Sequence, residues 1–155
     1  MKKGEKMIAL LSTGFYTGYF PFAPATFSTL TLGVATYFLL SHLNSYIYAV
    51  ITLALFFAAI GLSHKSENIF KKQDCSYIVI DELVGFLITM CLIPFTWTYL
   101  ATGFILFRFF DIIKPPPAHF FNRRKRGGLD VVLDDVIAGV YSNLVLQLLH
   151  RWLLK

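Results

Sequence analysis

The sequence predicts an all-α fold, a polytopic membrane helical bundle with three long spans and a fourth apolar block that proline breaks into a re-entrant or short helical pair. Composition is the first observation behind this: of 155 residues, 56% are hydrophobic, 17% aromatic and only 15% charged, and the mean hydropathy is +0.62. Soluble domains hold about 45–50% apolar and about 25% charged residues, so both figures depart in the direction of a membrane protein. The second observation is a set of uncharged runs approaching the roughly 20 residues that cross a hydrocarbon core. The third is the placement of Lys and Arg, which stay in short loops on the cytoplasmic side.

Taken in chain order, Lys2 and Lys3 precede a short apolar stretch, and "APA" at 23 to 25 has the form of a signal-peptidase box. Ser12, Thr13 and Gly14 interrupt that stretch at once, which argues against a secretory signal. The segment "GYFPFAPATFSTL" follows, where Pro21 and Pro24 stiffen a loop and Thr26, Ser28 and Thr29 stand at the start of a helix. Hydroxyls and free N–H groups there suit either ordinary capping or a phosphate cradle. The spans themselves are Phe27 to Leu43, Tyr46 to Ser63 and Val131 to Leu149, with the Asn44-Ser45 link between the first two forming a helical hairpin turn.

The block from Leu83 to Phe110 contains Pro94 in "IPFTW". Lys2, Lys3 and Lys6 lie before the first span, and Lys65, Lys71 and Lys72 after the second. A single crossing by 83–110 would put Lys114, Arg123, Arg124, Lys125 and Arg126 outside, against the positive-inside rule. Doubling back at Pro94 to Trp97 into two helices of about a dozen residues, about 18–20 Å each, returns them to the inner face. All nine acids then share that face, with only Arg151 and Lys155 among the basic residues opposite.

The acids carry the chemistry. Asp81 and Gly85 share a helical face, as do Asp135 and Gly139, and each glycine opens room for another helix, a metal or a phosphate. Asp134 shares a face with Asp130, and Asp111 is flanked by Arg108 at i−3 and Lys114 at i+3. Hard carboxylate oxygens in this number suit Mg²⁺ bridging to a substrate phosphate, with the adjacent cations on the same phosphate. Desolvated carboxylates massed without counter-charge would otherwise neutralise. The plainer alternative is that Asp81-Glu82 and Asp134-Asp135 only favour helix N-termini; three convergent acidic sites favour the metal.

The blocks "IVIDELVG", "FRFFDIIKPPP" and "GGLDVVLDDVIAGV", together with "PFAPATFSTL", strongly resemble the signature blocks of the phosphatidylglycerophosphatase A family, over about residues 14–141 of a single domain spanning 1–155. The resemblance implies a Mg²⁺-dependent phosphatase of the bacterial inner membrane that converts phosphatidylglycerophosphate to phosphatidylglycerol and phosphate at the cytoplasmic face. It carries the acidic pattern to Asp74, Asp81, Glu82, Asp111, Asp134 and Asp135. Of these, Asp74, Asp81, Glu82, Asp134 and Asp135 are the expected metal ligands, and Asp81, Asp111, Asp134 and Asp135 the expected catalytic acids beside Lys114 and Arg108. Thr26, Lys114, Arg108, Arg123 and Arg124 are the expected substrate-binding residues. Asp111 is open as ligand, general base or nucleophile. Ala25, Ser28, Asn122 and Asp130 depart from the family pattern.

His42, His64, His119 and His150 lack ligand spacing, although His64 matches a family position. Cys75 and Cys91 form no zinc or redox motif. Trp97 and Trp152 fit interfacial anchoring, and Arg123 to Arg126 suit anionic membrane lipids. A net charge of +5 is ordinary for such a protein, and nucleic acid is not an expected partner. Rival readings are a CDP-alcohol phosphatidyltransferase, whose upstream motif half is missing, an ion- or proton-conducting bundle, which would need acids at mid-depth, and a non-catalytic family member.

Overall fold

The computed structural model describes residues 2–73, 75–124 and 127–153, leaving aside the side chains of 122–124 and 153. The expected ligand Asp74, and whatever the side chains of Arg123 and Arg124 contact, therefore lie outside the described residues. Within them the chain is helical, without a strand. It runs α1 (Lys3–Ser12), a single 3₁₀ turn (Thr17–Tyr19), α2 (Pro24–Ser28), a π segment (Thr29–Gly33), α3 (Val34–Leu40), α4 (Ser45–Phe70), α5 (Ile80–Thr89), α6 (Trp97–Ile113), α7 (Ala118–Arg124) and α8 (Gly128–Leu153).

The first long helix starts earlier than its apolar run, because Pro24 occupies N1 after Ala23 in the left-handed conformation. Pro supplies the helical φ and lacks only an N–H that would have no partner there. Thr26 thus lies inside the first turn and caps nothing. The Thr29 and Thr31 hydroxyls donate to the carbonyls of Ala25 and Phe27, at 2.9 and 2.7 Å. Such back-bonding competes with the helical ladder at the place where it widens into the π segment.

Asn44 makes the expected turn and caps α4, its Oδ1 accepting from the Ile47 amide at 2.8 Å. α4 has 26 residues and is the one described helix long and apolar enough to cross a membrane. α8 has the same length, but Ser142, Asn143, Gln147 and His150 dilute its apolar character.

α5 and α6 are antiparallel, Gly85 lying against Phe107 and Gly103 against Met90. The chain reverses at 90–96, about the expected Pro94, with Leu92 left-handed. Breaking a helix in apolar surroundings frees carbonyls that must find donors. Tyr48 donates to Leu87 O at 2.6 Å, Tyr37 to Ile93 O at 3.3 Å, and the Asn143 amide to Thr89 O at 2.9 Å and Cys91 O at 2.7 Å. The two arms are unequal, 10 residues in α5 and 17 in α6. Thr96 caps α6 through the Tyr99 amide at 3.1 Å, and the helix continues until Lys114 turns left-handed ahead of three prolines.

α8 runs parallel to α5 in close backbone contact. A Cβ on Gly139 would strike the Gly85 carbonyl, and one on Gly85 would meet the Asp135 carbonyl at 2.7 Å. The space beside both acids is therefore filled by the other helix, not by a ligand. Small residues that allow close backbone contact of this kind hold apolar helices together through dense van der Waals packing. Around the crossing, Phe86 packs edge-on against Tyr37, Phe104 and Phe107. One consequence governs the chemistry: the N-termini of α5 and α8 and the C-terminus of α6 meet at one end of the bundle, with α2 beside them.

Candidate active site

At that end lies a cavity of about 300 Å³, into which Asp81, Glu82, Arg108, Asp111, Lys114, Asp134 and Asp135 project between Pro24, Ala25, Cys75, Ser76, Ile78 and Val131. α5 delivers the first acidic pair and α8 the second, each with the same local geometry. Asp81 Oδ1 accepts from the Glu82 amide at 3.0 Å, and Asp134 Oδ1 from the Asp135 amide at 3.1 Å. Asp81 and Glu82 stand in the first turn of α5, where carboxylates offset the orphan N–H groups and positive dipole end, whereas Asp134 and Asp135 lie past the first turn of α8, whose first-turn acid is Asp130. Capping and convergence are thus both present, and the plainer reading accounts for only part of the arrangement.

α6 brings Arg108, Asp111 and Lys114 across from these pairs. Arg108 Nη1 contacts Glu82 Oε2 and lies 3.1 Å from Asp111 Oδ2. Lys114 Nζ contacts Asp134 Oδ2, and lies 3.2 Å from Asp111 Oδ1 and 3.8 Å from Asp135 Oδ1. An alternating chain results: Glu82, Arg108, Asp111, Lys114, then Asp134 and Asp135. Burial works against the Lys114 ammonium, but Asp135, Asp111 and Asp134 outweigh it and hold its amine above the ordinary value.

One oxygen each from Glu82, Asp111 and Asp135 lies within 4.8 Å of the other two, and all three residues are buried. Ligands of an octahedral ion at about 2.1 Å are separated by roughly 3–4 Å, so small side-chain movements would close this set on one divalent cation. Charge agrees with geometry. Five carboxylates face two cations among the described cavity residues, a formal excess of three negative charges, and hard oxygen donors of that kind suit Mg²⁺.

The expected residues are not all placed alike. Glu82 and Asp135 are among the three converging acids, while Asp81 and Asp134 line the cavity beside them. Asp111, left open between three roles by its sequence context, is the third converging acid. Thr26 is half-buried and does not line the cavity, whereas Pro24 and Ala25 do. From the same stretch it is Thr29, at the start of the π segment and fully buried, that approaches the acids, its hydroxyl 3.4 Å from Glu82 Oε2. The sequence marks it only as one of the three hydroxyls at the start of the first long helix, with nothing to set it above Thr26 or Ser28. His64 lies instead at the junction of α4 with Gly127 and Gly128.

Fold and site together define an all-helical protein with a carboxylate-rich, cation-flanked cavity at one end of an apolar bundle. The chain belongs to the phosphatidylglycerophosphatase A family, whose model matches residues 10–150. It is 34% identical over 148 residues to the phosphatidylglycerophosphatase A of Haemophilus influenzae, covering 95% of this chain and 91% of that one. To the Escherichia coli protein of the same name it is 32% identical over 145 residues, covering 92% and 84%. A Bacteroides thetaiotaomicron protein provisionally named a phosphatidylinositol-3-phosphatase is 37% identical over 162 residues, covering 99% of each chain. No solved structure matches the chain.

Proposed function

We propose that this protein is a Mg²⁺-dependent lipid phosphatase of the cytoplasmic membrane that hydrolyses phosphatidylglycerophosphate to phosphatidylglycerol and phosphate. The observation that carries the reading is the convergence of Glu82, Asp111 and Asp135 oxygens within 4.8 Å, flanked by Arg108 and Lys114. Those three carboxylates would hold the ion, with Asp134 and Asp81 adjoining. When bound there, Mg²⁺ supplies positive charge to phosphate oxygens and acidifies a ligated water. Arg108 and Lys114 bind the terminal phosphate and neutralise charge on its equatorial oxygens. Asp81 lines the cavity but forms no ion pair among the described residues, which leaves its carboxylate to accept the proton of the attacking water. The water oxygen bonds to phosphorus, the phosphorus–oxygen bond to the glycerol breaks, the glycerol oxygen takes up a proton from solvent at the cavity mouth, and Asp81 gives its proton back to solvent.

In the membrane, α4 crosses fully. The helix from Pro24 to Leu40 and α8 make the two further spans, and α5 with α6 forms the hairpin between them. The basic loops put the cavity on the cytoplasmic side. Acids gathered at one end of the bundle, not strung through its middle, favour a headgroup enzyme over an ion- or proton-conducting path.

The Bacteroides relative supports a second reading, in which the headgroup is an inositol phosphate. The deciding experiment is phosphate release by purified protein, comparing phosphatidylglycerophosphate with phosphatidylinositol 3-phosphate in mixed micelles, with Mg²⁺ or with EDTA. Release from the first lipid, abolished by EDTA, is expected. Preference for the second lipid would replace the substrate, and EDTA-resistant release would remove the metal from the mechanism.

A further inference from the structure

Between α1 and α2, in residues 15–22, the chain holds five aromatic side chains outward. Phe15, Tyr16, Tyr19, Phe20 and Phe22 are 61, 60, 45, 40 and 79% exposed. The backbone beneath them is fixed. The Phe15 amide donates to Leu10 O at 2.9 Å and the Gly18 amide to Thr13 O at 3.0 Å, while the Thr17 hydroxyl lies 2.9 Å from Gly14 O and 3.0 Å from Ser28 Oγ. Gly18 sits so tightly on the Tyr77 carbonyl that no Cβ would fit. Phe15, Tyr16 and Ala23 are left-handed, with φ of 55, 70 and 48°, a conformation that non-glycine residues adopt only against a steric cost.

This segment therefore spends conformational strain on presenting rings that water would not favour. It does so at a particular place. Its last residues run directly into Pro24 and Ala25 of the cavity wall, and Tyr19 stacks at 4.7 Å on Tyr77, which adjoins the wall residues Ser76 and Ile78. α1, which leads into the segment, exposes Lys3 and Lys6 in its first turn and Lys2 at its N-cap. The headgroup layer of an anionic bilayer favours amphipathic rings such as these, and basic residues on the preceding helix gain from its surface charge.

We propose that residues 15–22 form an aromatic lip that inserts at the headgroup–acyl boundary of an anionic bilayer. The lip sets the depth of the cavity mouth, so that a lipid carrying a terminal phosphate enters from the membrane. Insertion is a property of the loop alone, whereas delivery of the lipid rests on the phosphatase reading.

The test places Phe22→Trp in a chain carrying Trp97→Phe and Trp152→Phe, reconstituted full length into bilayers containing anionic lipid brominated either near the headgroup or near the chain end. Phe15→Trp in the same background is the second variant. Insertion predicts strong quenching of both new tryptophans by the shallow bromines and weaker quenching by the deep ones. The same pattern is expected when Asp135→Asn is added, which separates insertion from catalysis. Water-like emission without quenching would overturn the proposal. Blue-shifted emission without quenching would also overturn it, in favour of an interface between copies or with another protein. Phe15→Ser combined with Phe22→Ser should lower kcat/KM for bilayer lipid roughly tenfold through lost ring burial; a change below about twofold would overturn the delivery role.

Discussion

Lys114→Met removes the cation shared by three carboxylates while keeping an apolar stem of similar length. Lys114 Nζ lies 3.2 Å from Asp111 and 3.8 Å from Asp135 and contacts Asp134, with 21% of its side chain exposed. At an effective dielectric of 20, one such pair at 4 Å is worth about 4 kcal/mol of attraction, and desolvating the ammonium takes back part of the sum. Removing one partner of a buried pair costs about 3–5 kcal/mol because the opposite charge is left uncompensated. Residual exposure places this case at the low end, at about 3 kcal/mol. At about 2–4 °C per kcal/mol for a chain of this size, Tm should fall by roughly 6–12 °C. The assay is thermal unfolding of the purified protein in detergent containing EDTA. Repeating it with saturating Mg²⁺ should recover half or more of the loss, because ion binding to the folded state alone adds about 2.7 kcal/mol at a hundred times Kd. An unchanged Tm in EDTA would refute the reasoning, since it would mean the carboxylates need no counter-ion.

Asp135→Asn and Glu82→Gln should each cut phosphate release by about a hundredfold or more and weaken Mn²⁺ binding measured by electron paramagnetic resonance; parent-like binding in both would remove them from the ligand set. Gly139→Ala places a Cβ on the Gly85 carbonyl and should cost about 1–3 kcal/mol by overpacking, read as a lower Tm in detergent. Gly61→Ala is the harmless comparison, because a Cβ there meets open space. Asn143→Leu strips Thr89 O and Cys91 O of the donor they share and should cost about 2–4 kcal/mol. That loss should show as faster hydrogen exchange confined to the 87–96 reversal.

Much of this protein can be read along the chain. Composition and uncharged runs identify an apolar helical bundle because a long apolar run can satisfy its backbone hydrogen bonds within one segment only as a helix. The reversal near Pro94 is legible from the basic loops alone, and the acidic pairs announce themselves as charges inside apolar surroundings. These are one-dimensional properties, determined by which residues neighbour one another in sequence. The same local signals misplace helix boundaries, as with the start at Pro24 and the extra turns of α6, where caps and left-handed stops override hydropathy.

Which acids meet is a different kind of property. A helix assigns each residue to a face, but the rotation and depth at which faces meet come from packing. Here they come from Gly85 against the Asp135 carbonyl and Gly139 against that of Gly85. That crossing turns Glu82 and Asp135 toward Asp111 and leaves Asp81 at the side, an outcome adjacent carboxylates cannot reveal by themselves. Packing of the first long helix on α5 likewise brings Thr29 to Glu82 across 53 positions of sequence and sets the aromatic loop beside the cavity wall. Residue types and spacing determined the chemistry available to this chain; the interlocking of two glycines decided where it is assembled, because close backbone contact fixes the relative rotation of the helices that carry the acids.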